Sequence, residues 1–311
     1  MNPEPSMMDT GEYALPGKLR ETLTPDPISS LAEVDSAGRS DVGLRPTNQD
    51  CFLIARADRT LQAIATNLPT GDIPERFGEV AFGFFVADGV GGQGGGDVAS
   101  RLAVGVLVNL LLNSPAWIMR VGEPEANQIL DKITHRYRQV DAAITEAAAA
   151  DPALSKMGTT LTLACSIGEE LFLGHVGDSR AYLLRDGALI RLTRDHTFAQ
   201  DLADQGFIRQ DEVSSHRLRH YLTKALSWRE GEVWADVVRV GLKDGDQLLL
   251  CTDGLTEVVA DEQINSILTV AKSPAEACDT LIASALANEG KDNVTAVVAR
   301  YRFHLGSQSV S

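Results

Sequence analysis

Basic residues are in short supply: 28 Lys and Arg stand against 43 Asp and Glu, a formal charge of -15 over 311 residues. So acidic a chain lacks the basic face that nonspecific binding to nucleic acid or to an anionic membrane requires. Acidic or phosphorylated substrates would also be repelled, unless bound cations reversed the sign locally. Cysteine is scarce as well. Cys51, Cys165, Cys251 and Cys278 show no C-x-x-C spacing and lie in apolar, strand-like or helix-like runs, which fits a reduced intracellular protein. No hydrophobic signal core opens the chain, and the longest apolar run, Leu102–Leu112, is too short to span a bilayer. Membrane, secreted and disulfide-scaffold classes are excluded, and a cytoplasmic protein is expected.

What is present is an ordinary globular composition, 44 % apolar and 23 % charged, with room for one large domain or two small ones. Residues 1–35 are rich in proline and polar residues and read as a leader. From 36 to 303 the pattern is dense and reads as one domain, and 304–311 form a short tail. Strands are expected at Cys51–Ala55, Val80–Ala87, Thr159–Ile167, Leu171–His175, Ala181–Leu184, Val233–Val240, Gln247–Cys251 and Val294–Tyr301. Asp-Gly and Gly-Glu turns between several of them favour antiparallel hairpins. Helices are expected at Val98–Leu112, capped by Asp97, at Glu125–Ala150, and at Asp261–Leu268 and Pro274–Ala287. Arg59–Glu79 reads as a loop insertion, and Phe198–Leu226 as a polar, partly helical interruption. Patterning alone predicts a hairpin-rich α/β domain.

An Asp-Gly pair is ordinarily a turn, and Asp186 and Asp244 fit that reading, each lying between two strand-like runs. Asp88 and Asp253 differ. Asp88 ends the run AFGFFVA and Asp253 ends QLLLCT, so each carboxylate projects from the end of a buried strand. An unpaired carboxylate there is costly, and a metal is a common remedy. Asp292 precedes the last strand and Asp50 the first, which makes an all-oxygen set suited to magnesium or manganese rather than zinc. The glycines after Asp88 match a dinucleotide fingerprint, G-x-G-x-x-G, at Gly89, Gly91 and Gly94. That reading also needs an acid about 20 residues on, yet no Asp or Glu falls between Val98 and Gly122.

Ordered blocks along the chain resemble the type 2C, metal-dependent serine/threonine protein phosphatases, and more closely their bacterial members. They are SDVGLRPTNQD (Ser40–Asp50), FVADGVGGQGGGDVAS (Phe85–Ser100), MGTTLT (Met157–Thr162), GHVGDSRAYLLRDG (Gly174–Gly187), LTRDHT (Leu192–Thr197), LTKALS (Leu222–Ser227), LLLCTDGL (Leu248–Leu255) and GKDNVTAVV (Gly290–Val298). The resemblance implies an α+β fold, a four-layer α/β/β/α sandwich of two antiparallel sheets flanked by helices. It implies hydrolysis of phosphoserine and phosphothreonine in proteins by a hydroxide bridging two divalent metals, Mn2+ or Mg2+.

Carried over by residue, it implies that Asp88 bridges both metals, that the Gly89 carbonyl binds one, and that Asp253 and Asp292 bind the other. Asp50 and Gln49 would stand around the centre, and Asp178 would help hold a third, weaker metal. Arg45 would grip the substrate phosphate, a role that a guanidinium fork suits. Phe198–Leu226 matches a variable flap, in which His220 is a candidate ligand to the third metal. His196 and His216 match recurring positions and read as structural.

Departures from the family pattern bear on the same site. Gln49 stands where Glu is usual, and Gln93 replaces a His. Val90 occupies the position of a proton-donating His in animal members, and Lys224 that of an Arg. The implied partners are phosphorylated proteins, a serine/threonine kinase or its targets, with no nucleic acid or membrane and a monomeric chain. Alternatives are a catalytically weak, phosphoprotein-binding scaffold of the same fold, and a regulatory phosphatase dedicated to one phosphoprotein.

Overall fold

The computed structural model describes residues 32–62, 64–65, 76–91, 95–112, 123–227 and 233–303. Among the described residues, eleven strands run in chain order: β1 Ala32–Asp41, β2 Asp50–Gln62, β3 Arg76–Val90, β4 Gly158–Thr159, β5 Leu161–Ile167, β6 Glu170–Val176, β7 Arg180–Arg185, β8 Ala188–Arg191, β9 Asp236–Gly241, β10 Gln247–Cys251 and β11 Val294–Phe303. The α-helices are α1 Gly96–Leu112, α2 Glu123–Ala150, α3 Phe198–Asp204, α4 Asp253–Thr256, α5 Asp261–Val270 and α6 Pro274–Ala287. One sheet has the order β1-β11-β10-β7-β8 and the other β2-β3-β5-β6-β9, with β4 paired to the end of β3. The pairings are antiparallel.

Strand periodicity explains the layering. Phe84 and Val86 of β3 and Leu171 and Leu173 of β6 face Leu183, Leu248, Leu250 and Tyr301 of the opposing sheet. Their neighbours one residue along, Phe85, Ala87 and Phe172, point the other way and pack on α1 and α2. On the far side Tyr182, Leu249, Cys251 and Val298 pack on α5 and α6. The order of layers is therefore helix, sheet, sheet, helix, as expected. Ile129, Ile133, Tyr137, Val140 and Ile144, the predicted stripe of α2, are all buried. Asp186 takes a left-handed φ of 51° in the β7–β8 hairpin, as its turn reading requires.

The structure departs from the expectations at both ends of the β1–β3 region. β1 takes in Ala32–Asp35, residues expected in the leader, and was absent from the strand pattern. Its sequence AEVDSAGRSD is polar because it is an edge strand with one covered face; pairing with β11 over its whole length holds it. The expected loop Arg59–Glu79 is instead partly hairpin, since β2 continues to Gln62 and β3 begins at Arg76. β5 pairs with β3 only from Ala81 onward, so the outer arms lack the sheet neighbour that would impose apolar alternation. Asp97 lies inside the first turn of α1 rather than before it, where its charge favours the helix N-terminus and pairs with Arg101 at 2.6 Å. The leader up to residue 31, the tail and Gln93 lie outside the described residues.

Candidate active site

Strand geometry gathers the predicted acids at one end of the sandwich. Asp50 is the first residue of β2 and sits directly opposite Asp88 of β3. In the other sheet β10 ends at Cys251 and the chain turns into α4 at Asp253, beside Asp292 at the entry to β11. Asp50 links the two sheets, because its Oδ2 accepts from Thr252 Oγ1 at 2.9 Å and from Thr295 Oγ1 at 2.7 Å. Gly89 donates its N–H to the Gln49 carbonyl, and a Cβ on it would lie 2.1 Å from the Gly96 carbonyl oxygen. Only glycine lets the backbone of that position approach α1 so closely.

Asp88, Gly89, Asp253 and Asp292 line a cleft of about 540 Å³ together with Arg45, Gln49, Val90 and Asp178. Burial is the main force on the acids. It pushes the Asp88 and Asp178 carboxyls well above the usual range, reinforced at Asp88 by Asp50, Asp253, Asp178 and Asp292. Asp50 and Asp253 are pushed up to about 7, again chiefly by burial, with the charge of Glu257 the next contribution at Asp253. Asp50 Oδ1 and Asp253 Oδ1 are buried with no hydrogen-bond partner. Convergent carboxylates with orphaned oxygens fit a hard divalent cation, which supplies the missing partner.

Arg45 stands at the rim. Its side chain is 55 % exposed, and one Nη donates to Asp292 Oδ2 at 2.6 Å. That hydrogen bond, then the Asp292 charge, raises its pKa further. Asn293, which the sequence reading passed over inside GKDNVT, holds the loop that carries Arg45. Its Nδ2 donates to the Val42 and Thr47 carbonyls at 2.8 and 3.0 Å, and its Oδ1 accepts from Gln49 N at 2.8 Å.

Glu257 was missed as well. It lies one turn after Asp253, and its Oε1 pairs with His220 Nδ1; ligand atoms of His220, Asp253 and Glu257 lie within 4.8 Å of one another. The i, i+4 spacing from Asp253 was the available signal, but it speaks only once α4 is known to be helical. His196 and His216, expected to be structural, each accept a backbone hydrogen bond. His196 is buried and accepts from the Gly177 N–H at 3.0 Å, and His216 accepts from the Leu218 N–H within the flap. Lys224 pairs with Asp236 at 3.3 Å.

A family model described as protein phosphatase 2C matches residues 65–291. The chain belongs to the protein phosphatase 2C family. It is 40 % identical over 214 residues to the serine/threonine protein phosphatase PstP of Mycobacterium tuberculosis, covering 69 % of this chain but 39 % of that protein. With the serine/threonine phosphatase stp of Listeria welshimeri the identity is 35 % over 213 residues, 68 % of this chain and 82 % of the relative. The crystal structure of the PstP catalytic domain in complex with two manganese ions superposes with a TM-score of 0.68 at 34 % identity, covering 87 % of this chain and 99 % of that one. The type 2C fold explains why two sheets each contribute acids to one cleft.

Proposed function

We propose that this chain hydrolyses phosphoserine and phosphothreonine in proteins, using Mn2+ or Mg2+ held by Asp88, the Gly89 carbonyl, Asp253 and Asp292. One observation carries the reading: half-buried carboxylates from both sheets, two of them with a buried oxygen that has no hydrogen-bond partner, converge beside an exposed guanidinium. The relatives named as serine/threonine phosphatases, one of them crystallised with two manganese ions, support it. Divalent ions bound there would lower the pKa of water at the site and offset the charge of the incoming phosphate.

The protein's own groups do the rest. Arg45 has N–H groups beyond the one on Asp292, and these meet two phosphate oxygens at the rim and orient the ester over the acids. Asp50, fixed by Thr252 and Thr295, keeps Oδ1 available to accept from water. Gln49 offers the cleft an amide without charge. In the reaction the P–O bond to the seryl or threonyl oxygen breaks as water oxygen bonds to phosphorus, and the alcohol leaves with a proton derived from water. Val90, at the animal histidine position, supplies none.

A third, weaker cation would be held by Asp178 and Asp253, with His220 and Glu257 completing it from the flap side. The domain is taken as 36–303 with the β1 residues from Ala32 added, and the chain acts as a monomer in the cytoplasm on a serine/threonine kinase or its targets. No described helix is long and apolar enough to cross a membrane.

Arg45→Ala tests the phosphate assignment. A charge-assisted contact to phosphate is worth on the order of 1.5–3 kcal/mol, so KM for a phosphothreonine peptide should rise about ten- to a hundredfold. Manganese affinity should change less. Steady-state kinetics with unchanged KM and kcat would remove Arg45 from the site. A chain that bound the peptide without turning it over would support the scaffold reading instead.

A further inference from the structure

We infer that Thr160 is a positioning residue of the candidate active site, its buried hydroxyl holding Asp88 and the turn that carries Asp178 at a fixed separation. Thr160 lies between β4 and β5 and is completely buried. Its backbone N–H donates to the Asp88 carbonyl at 2.9 Å, and its Oγ1 accepts from the Asp88 N–H at 2.9 Å. Both main-chain polar groups of Asp88 therefore rest on this one residue. The neighbouring Thr159 hydroxyl adds a second donor to the Asp88 carbonyl at 2.8 Å.

The same Thr160 Oγ1 lies 2.8 Å from Ser179 Oγ, which is also completely buried. With the Asp88 N–H pointing at it, the Thr160 hydroxyl has its own hydrogen free to donate to Ser179. Ser179 directly follows Asp178. The residue before Asp178, Gly177, has φ of 114° and presses on Thr160: a Cβ there would sit 2.5 Å from Thr160 Cβ and Cγ2. The Asp178 turn is thus built against the Thr160 side chain on one flank and hydrogen-bonded to it on the other. Asp88 lies in β3 and Asp178 in the turn between β6 and β7, and the Thr160 hydroxyl is hydrogen-bonded to both segments.

The geometry predicts more than a satisfied core hydroxyl. Groups that orient metal-binding carboxylates typically change metal affinity by about 10- to 100-fold when removed. The inference rests on the reading that Asp88 and Asp178 hold divalent cations, so its test carries a control for that reading.

The test is calorimetric titration of manganese into the full chain, on the wild type, Thr160→Val, Thr160→Ser, Ser179→Ala and Asp88→Asn, with metal-free circular dichroism on each. Thr160→Val keeps shape and removes the hydroxyl, and it should weaken manganese binding about 10- to 100-fold in a protein that remains folded. Thr160→Ser keeps the hydroxyl and should restore the wild-type affinity. A purely structural role would lower the unfolding temperature of Thr160→Val and leave manganese affinity intact. Wild-type affinity in Thr160→Val alongside loss in Asp88→Asn would overturn the positioning role alone. Wild-type affinity in both would overturn the metal reading beneath it. If Thr160→Val does not fold, Ser179→Ala decides, because it leaves the Asp88 N–H satisfied: weakened manganese binding supports the bridge and unchanged binding overturns it.

Discussion

Asp253→Asn should lower turnover of a phosphothreonine peptide at saturating manganese by about 100-fold or more, because the ions' charge stabilisation is worth several kcal/mol and their binding depends on this carboxylate. Asn reproduces the shape of Asp, so packing at the start of α4 is preserved. Its Oδ1 is buried without a hydrogen-bond partner, and its neighbours Glu257 and Asp292 are themselves acids. Removing one charge from such a cluster relieves repulsion. The metal-free variant should therefore unfold at the wild-type temperature or above it while activity falls. Retention of more than about a tenth of wild-type turnover would contradict the assignment, since even residues that only support a ligand typically cost 10-fold or more.

Manganese should stabilise the protein strongly at pH 7.5 and much less at pH 5. Asp50 and Asp253 titrate at about 7 in the folded protein, far above unfolded carboxylates near 4. Between those values the folded state binds more protons than the unfolded one, so these groups contribute stability that is lost as pH rises through the window. At pH 7.5 that contribution is largely gone, and the crowding of the metal-free acids opposes folding. Ions that bind only the folded state add about 2.7 kcal/mol at a hundred times Kd, which in a domain of this size is a rise of roughly 5 °C or more in Tm. At pH 5 protons compete for the same oxygens and the rise should shrink. His175, buried and lowered to about 3, destabilises the fold at acid pH, but equally with and without metal, so it cancels in the difference. Thermal unfolding with and without manganese at both pH values checks this. Equal shifts at the two pH values would contradict a shared carboxylate site.

The acids were legible because each sits where an apolar strand ends or begins, a place where a lone carboxylate has no local reason to be. Asp50, Asp88, Asp253 and Asp292 could be picked out on that ground alone. Arg45 and Asp178 became visible only through the resemblance, since an Arg in a loop and an Asp in a turn are unremarkable in one sequence, and Gly89 took its role at the site from the same source. Glu257 and Asn293 stayed hidden for a different reason. Their roles depend on contacts across the chain, such as Asn293 gripping the Val42 and Thr47 carbonyls some 250 positions earlier. β1 escaped because the partner that makes it a strand, β11, lies at the other end of the domain. Helix α2 and the inter-sheet core were legible because local periodicity alone determines which face is buried.

Phosphate release from a phosphothreonine peptide, followed in manganese, then after excess EDTA, and again after manganese is restored, tests the central claim most directly. Turnover with manganese, its loss in EDTA and its return on adding the metal back are the predicted results. Turnover that persists in EDTA, or none with manganese from a folded chain, would contradict a metal-dependent phosphatase built on Asp88, Asp253 and Asp292.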